Sequence, residues 1–234
     1  SFTNQYTFFQ KVRSLDYIML FCIFLIGSIS CLAMYSTDGG EFLYHTKNHA
    51  LRFITFFVMM IIISFINIKT WHKLSYFFYL ATLLLLVWAS LYGITASGSQ
   101  RWINLYFINL QPSELMKIAI IICFAKYYHR VQIQSVNKIS TFILPIAILV
   151  IPIFLVISQP DLGTSILIAL SGISVLWLAG INIKYFVFST IIFIISAPFI
   201  ISFLKPYQKL RILSFFNPDR DPLGAGYQII QSKI

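Results

Sequence analysis

The chain is divided into long runs without a single charged residue: 17–35, 53–68, 74–95, 139–159, 162–183 and 185–204. An α-helix rises about 1.5 Å per residue, so roughly 20 apolar residues cross the hydrocarbon core of a bilayer, and these runs reach or approach that length. A backbone in lipid must satisfy its own hydrogen bonds, which leaves helices as the solution for apolar runs of this kind. Of the 234 residues, 59% are hydrophobic and 10% charged, against roughly 25% charged in a soluble domain. The predicted fold class is therefore all-α, a polytopic membrane protein. About seven transmembrane helices are expected, because 118–125 is uncharged but too short alone and becomes a span only if its helix starts at Pro112 and ends near Tyr128. Residues 1–234 read as one integral membrane domain, with 1–16 an N-terminal segment and 205–234 the start of a loop.

The formal net charge of +10 does not point to nucleic acid, since the cations are scattered over short loops instead of forming a stripe. Counting them gives an orientation. With the N-terminus cytoplasmic, Lys11, Arg13, Lys69, Lys73, Lys126, Arg130, Lys138 and Lys184 lie inside, against Lys47, Arg52, Arg101 and Lys117 outside. Lys205, Lys209, Arg211, Arg220 and Lys233 then fall on the outer face, where so much positive charge calls for an anionic partner. Alternating with Tyr207, Ile212, Leu213 and Phe215, these cations suit a short amphipathic helix at the outer headgroups. Cys22, Cys31 and Cys123 form neither a disulfide framework nor a metal spacing, and the four histidines are equally dispersed. Lys11 and Arg13 precede a first apolar run of full spanning length without a small-residue cleavage site, so that helix is read as its own insertion signal.

Three polar clusters interrupt the apolar pattern. In "QPSELMK", Pro112 suits a first helical turn, with Gln111 or Ser113 as a cap. Glu114 then sits at the positive end of the helix and Lys117, three residues on, can pair with it. Ionisable groups at such depth usually face a cavity or a partner. Arg101, in the loop before, is suited to bidentate binding of phosphate or carboxylate, although snorkelling to the interface would also explain it. In "SQPDLGTS", Asp161 follows a tight turn and reads first as a helix N-cap. Pro145 and Pro152 in one span are tolerable if neighbouring helices satisfy the carbonyls they free. Ser165, Ala169, Gly172 and Ala179 approximate a small-residue packing face. A phosphate-binding glycine loop, a zinc spacing and a nucleophile elbow are all missing from the sequence.

Taken in order, "SGSQRWINL" with "QPSELMKIA", then "QPDLGTSILIALSG", then "YQKLRI" with "NPDRDPLGAGYQIIQSKI" resemble the SEDS family of shape, elongation, division and sporulation proteins, and its elongation branch more than its division branch. The resemblance spans essentially the whole chain. It implies a peptidoglycan glycosyltransferase of the bacterial cytoplasmic membrane that polymerises lipid II into a glycan strand, beside a class B penicillin-binding protein. It also implies that Glu114 and Lys117 pair within an outward-opening central cavity. Substrate-binding candidates are Arg101, Gln111, Glu114, Lys117, Asp161, Tyr207, Gln208 and Arg211, with Lys205 and Lys209 as further cations and Arg52 a weaker member. No catalytic residue and no metal ligand is identified, and a divalent cation is the only cofactor left open. The family's essential Asp lies in a Thr-Asp-Phe-Ile-Phe motif beyond Ile234, and the family has about ten spans, so the resemblance implies a C-terminally truncated form. A flippase for the lipid-linked precursor and a non-catalytic scaffold for the penicillin-binding protein are the competing readings.

Overall fold

A computed structural model describes residues 7–96, 99–105, 109–159, 161–203, 209–210 and 213. Its elements are α1 (Phe8–Arg13), α2 (Tyr17–Thr37), α3 (Tyr44–Ser64), α4 (Ile68–Tyr92), β1 (Ile94–Ala96), β2 (Ser99–Asn104), β3 (Asn109–Leu110), α5 (Pro112–Arg130), a 3-10 turn (Ile133–Ser135), α6 (Ile139–Ser158), α7 (Leu162–Leu178) and α8 (Ile183–Phe203). The chain divides into two compact units, 1–71 and 72–234. Helices α2, α3, α4 and α6 are each long and apolar enough to cross a membrane, and α7 and α8 are shorter apolar helices. The protein is thus a multi-pass helical membrane protein.

In the first unit, α2 and α3 pack side by side at Gly27, where a Cβ would collide with the Phe53 ring. The turn between them is closed by Asp38, whose Oδ2 accepts from both the backbone N–H (2.9 Å) and the hydroxyl (2.6 Å) of Thr46. Those bonds, the hydroxyl's first, hold the Asp38 carboxyl below the usual carboxylate range. The apolar pattern starts this span at residue 53, but α3 begins nine residues earlier, at Tyr44. Its first turns carry Lys47, His49 and Arg52, which hydropathy counts against a span although the helix continues through them.

The core of the second unit gathers Leu86 of α4, Met116, Ala119, Ile120 and Phe124 of α5, Val156 of α6 and Ile168 of α7. Helix α5 is the hub, packing on α6, α7 and β2. It carries Glu114, Lys117, Lys126 and Arg130. Outer helices are apolar because they face lipid, and the helix they surround need not be, since apolar residues gain little by moving from lipid into protein. That is why its hydropathy signal is weak. Helix α7 packs on α6 where Gly172 meets Leu149, with Ser165 buried on the same helix, as the small-residue pattern anticipates.

Both prolines of α6 are accommodated by tyrosines from neighbouring helices. Pro152 has no N–H for the carbonyl of Ile148, and the Tyr79 hydroxyl of α4 donates to that oxygen at 2.9 Å. Pro145 likewise frees the carbonyl of Thr141, which accepts from the Tyr127 hydroxyl of α5 at 3.0 Å. Removing either hydroxyl strands a carbonyl in a dry setting, at a cost of about 1–3 kcal/mol. Tyr79→Phe is accordingly expected to lower thermal stability, and Pro152→Ala to restore most of the loss by supplying the missing N–H. An equal effect of Tyr79→Phe in the wild-type protein and in the Pro152→Ala variant would break the link between the two residues.

Where 96–111 is expected to be a loop, a small antiparallel sheet in the order β1, β2, β3 begins already at Ile94 and ends at Leu110. Ile94 pairs with Trp102 and Ile103 with Leu110. The sheet leads directly from the end of α4 to the start of α5.

Candidate functional site

Two short connections place the polar residues of the second unit. Gln111 precedes a proline and is held extended (φ −105°, ψ 106°), with Pro112 opening α5. Asp161 caps α7: its Oδ1 accepts from the Thr164 N–H at 3.3 Å and its Oδ2 from the Thr164 hydroxyl at 2.9 Å. The preceding connection is pinned by Gln159, whose buried side chain donates to the carbonyl of Leu86 on α4 at 3.0 Å. Gln159 escapes a reading of the sequence, where nothing distinguishes its amide from that of any other turn glutamine.

Capping is only half of what Asp161 does. Its Oδ2 also accepts from Nη1 of Arg101 on β2 at 3.1 Å and from Nε2 of Gln111 at 3.1 Å, and Gln111 donates in addition to the Ser113 hydroxyl at 3.1 Å. Three residues distant in sequence, Arg101, Gln111 and Asp161, are therefore one constellation joining β2, the start of α5 and the start of α7. Asp161 is buried and Arg101 about a quarter exposed. Both carboxylate oxygens are thus engaged, and Asp161 holds the Arg101 guanidinium in place. Arg101 is only partly engaged by the described residues. Of its five N–H donors, only Nη1 has a partner among the described residues, and Nε is buried without one.

Glu114 and Lys117 form the expected i,i+3 pair at 2.8 Å, with side chains 54% and 23% exposed. Glu114 occupies the first turn of α5, where its charge also suits the helix dipole. The pair shares its helix end with Gln111 but makes no described contact with the Arg101–Asp161 constellation. Arg52 belongs to the first unit, where with Ser30 and His49 it lines a cavity of about 400 Å³; the Ser30 hydroxyl and His49 Nε2 lie 2.8 Å apart. Lys209 Nζ donates to the Ser202 carbonyl at 3.0 Å near the end of α8. Tyr207, Gln208, Arg211 and Lys205 lie outside the described residues.

Residues 11–234 match the FtsW, RodA and SpoVE family, described as cell cycle proteins. Among relatives, a probable peptidoglycan glycosyltransferase FtsW of Buchnera aphidicola subsp. Schizaphis graminum is 36% identical over 83% of this chain and 56% of its own length. The peptidoglycan glycosyltransferase MrdB of Escherichia coli K12 is 33% identical over 99% of this chain and 62% of its own length. The chain thus spans less than two thirds of these relatives. In three dimensions it resembles a chain from a study of structural coordination of polymerization and crosslinking by a peptidoglycan synthase complex, with TM-score 0.80 and 24% identity, covering 94% of this chain and 64% of that one. The rod shape determining protein RodA of Thermus thermophilus aligns with TM-score 0.66 and 19% identity over 75% of this chain and 57% of its own. At these identities the two structures speak for the fold alone, and with the family match running over almost every residue, the chain belongs to the FtsW/RodA/SpoVE family of cell cycle proteins.

Proposed function

We propose that this chain carries the substrate-binding half of a peptidoglycan glycosyltransferase that polymerises lipid II, acting beside a class B penicillin-binding protein in the bacterial cytoplasmic membrane. The observation that carries the reading is the Arg101 guanidinium, fixed by Asp161, which Gln111 also contacts, at the helix end that holds Glu114 and Lys117. In glycosyl transfer an acceptor hydroxyl attacks the anomeric carbon of the donor sugar. The bond from that carbon to the diphosphate breaks, the lipid diphosphate leaves with the electron pair, and the hydroxyl proton passes to a base. Fixed cations at the diphosphate stabilise the charge that develops on the leaving oxygen. Arg101 and Lys117 fill that role, with Asp161 and Glu114 orienting them.

Catalytic activity in the relatives' names supports the enzyme class, and both FtsW and MrdB stand among them. The long motifs at 159–172 and 217–234 favour the elongation branch and so a role in rod shape. The positive-inside count favours a cytoplasmic N-terminus, which puts Arg101 and the start of α5 on the outer face.

The test is reconstitution of the full-length protein with its penicillin-binding partner and labelled lipid II. Glycan strands are expected, and Lys117→Ala should cut their rate by about 100-fold, the effect of removing one charge-stabilising group. Glu114→Ala should impair polymerisation while leaving membrane insertion intact. A folded complex that makes no strands sinks the reading, and precursor crossing the vesicle bilayer would replace it with transport. Wild-type rates in Glu114→Ala would leave that residue as a helix-start anion only.

A further inference from the structure

The other end of α5 holds a group that glycosyl transfer does not use. Lys126 is only 7% exposed. Its ammonium donates to the carbonyl of Lys73 on α4 at 2.9 Å and lies 4.4 Å from the centroid of the Tyr76 ring. An ammonium has three donors and a full charge, and a carbonyl and a ring leave part of both unanswered. Among the described residues no carboxylate forms an ion pair with it. The only acidic residues among the described part of the second unit are Glu114 and Asp161, both engaged at the opposite end of α5. Glu114 is twelve positions from Lys126, about 18 Å along the helix axis.

The surroundings are donors and cations. His72 faces His129 edge to face, with ring centroids 5.3 Å apart, and Lys126 and Arg130 lie close enough to act on it electrostatically. Three buried side-chain atoms among the described residues have no hydrogen-bond partner. Two of them, His72 Nε2 and the Tyr128 hydroxyl, belong to this end of α4 and α5. Lys73, His129 and Arg130 form an exposed rim. A buried cation needs a counter-charge, and here no described side chain supplies one beside a second unfilled polar atom where a spanning helix meets the headgroup layer.

We infer that this helix end is a binding site for the phosphate of an anionic phospholipid, with Lys126 as its buried anchor, His72 as a second contact and Lys73, His129 and Arg130 as its rim. A phospholipid fits better than a soluble anion because the site continues into an apolar track. Lys73 heads a helical face whose next members, Phe77, Leu80 and Leu84, are all exposed at i, i+4, i+7 and i+11. Acyl chains would lie along that face while the phosphate meets the cations. Scattered surface lysines give weak retention by negative lipid; a buried ammonium adds a fixed position.

The experiment titrates the delipidated full-length protein with short-chain phosphatidylglycerol, short-chain phosphatidylcholine or inorganic phosphate and follows thermal unfolding. Phosphatidylglycerol alone should raise the midpoint, by about 3 °C or more near saturation. Lys126→Met should abolish that increment and Lys126→Arg retain it. If Lys126→Met does not fold, the exposed double variant Lys73→Gln with Arg130→Gln decides the matter. It should weaken phosphatidylglycerol binding by about thirtyfold, two charges at the usual increment for a basic residue at an anionic surface. Equal responses to the two lipids, a full response to inorganic phosphate alone, or unchanged binding in the rim variant would each overturn the site.

Discussion

Asp161→Ala is expected to destabilise the protein by about 3 kcal/mol, the lower end of the range for stranding one partner of a buried ion pair. The lower end applies because Arg101 is about a quarter exposed and can recruit water. Four donors lose this acceptor at once: Nη1 of Arg101, Nε2 of Gln111, and the hydroxyl and backbone N–H of Thr164. The α7 N-cap is lost with them, itself worth about 1 kcal/mol. A double-mutant cycle with Arg101→Gln separates the pair from the cap. If the pair is real, the two losses combine to less than their sum by at least about 1 kcal/mol. Strict additivity in denaturant unfolding would return Asp161 to a cap alone. The same cycle read by polymerisation rate tests whether Asp161 acts through Arg101, because a positioning residue has little left to lose once Arg101 is gone.

The second large effect is expected at Gly93, where α4 gives way to β1. Its N–H donates to the Ala89 carbonyl at 3.0 Å, and a Cβ there would collide with that same oxygen and crowd the Trp102 carbonyl. Both obstacles are backbone, which cannot rotate aside as a side chain can. Gly93→Ala should therefore cost about 3 kcal/mol, the upper end for forced overpacking. Relief by shifting the strand would break the pairing of Ile94 with Trp102, the neighbour of Arg101. Stability and polymerisation are expected to fall together. Gly163→Ala is the matched control: it has open space around it in the first turn of α7 and should change stability by no more than about 0.5 kcal/mol. A Gly93→Ala protein with wild-type stability would show that this junction is looser than its geometry.

The legible parts of the fold are those whose physics is local. Uncharged runs of spanning length place α2, α6 and α8 within two residues of their observed ends, and find α4 and α7 with one end misplaced by five or six, because the demand that a backbone satisfy itself in lipid is written into every residue of a span. Pro112 marks the start of α5 for an equally local reason. Misreadings arise where polar residues sit inside helices. The first turn of α3, residues 44–48, reads as loop because polar residues precede the apolar run, while His49 and Arg52 just beyond it line a cavity within the first unit. The small sheet escapes notice because its strands are short and one pairing carries an irregularity at Ile94, which leaves no alternating pattern to read.

For the site, the order of residues alone names the candidates: which few members of a greasy chain are ionisable, that Glu114 and Lys117 can pair three positions apart, and that Asp161 can cap a helix. Those follow from spacing along one helix and from local backbone geometry. It takes the folded chain to show that Arg101, Gln111 and Asp161 are one cluster, that Tyr79 and Tyr127 answer the two prolines of α6, and that Lys126 is buried with no ion pair among the described residues. Each of these joins residues on different elements, Arg101 and Asp161 being sixty positions apart. Pairings of that kind depend on which faces of the helices meet, and hydropathy in a membrane protein reports contact with lipid far better than it reports contact between helices.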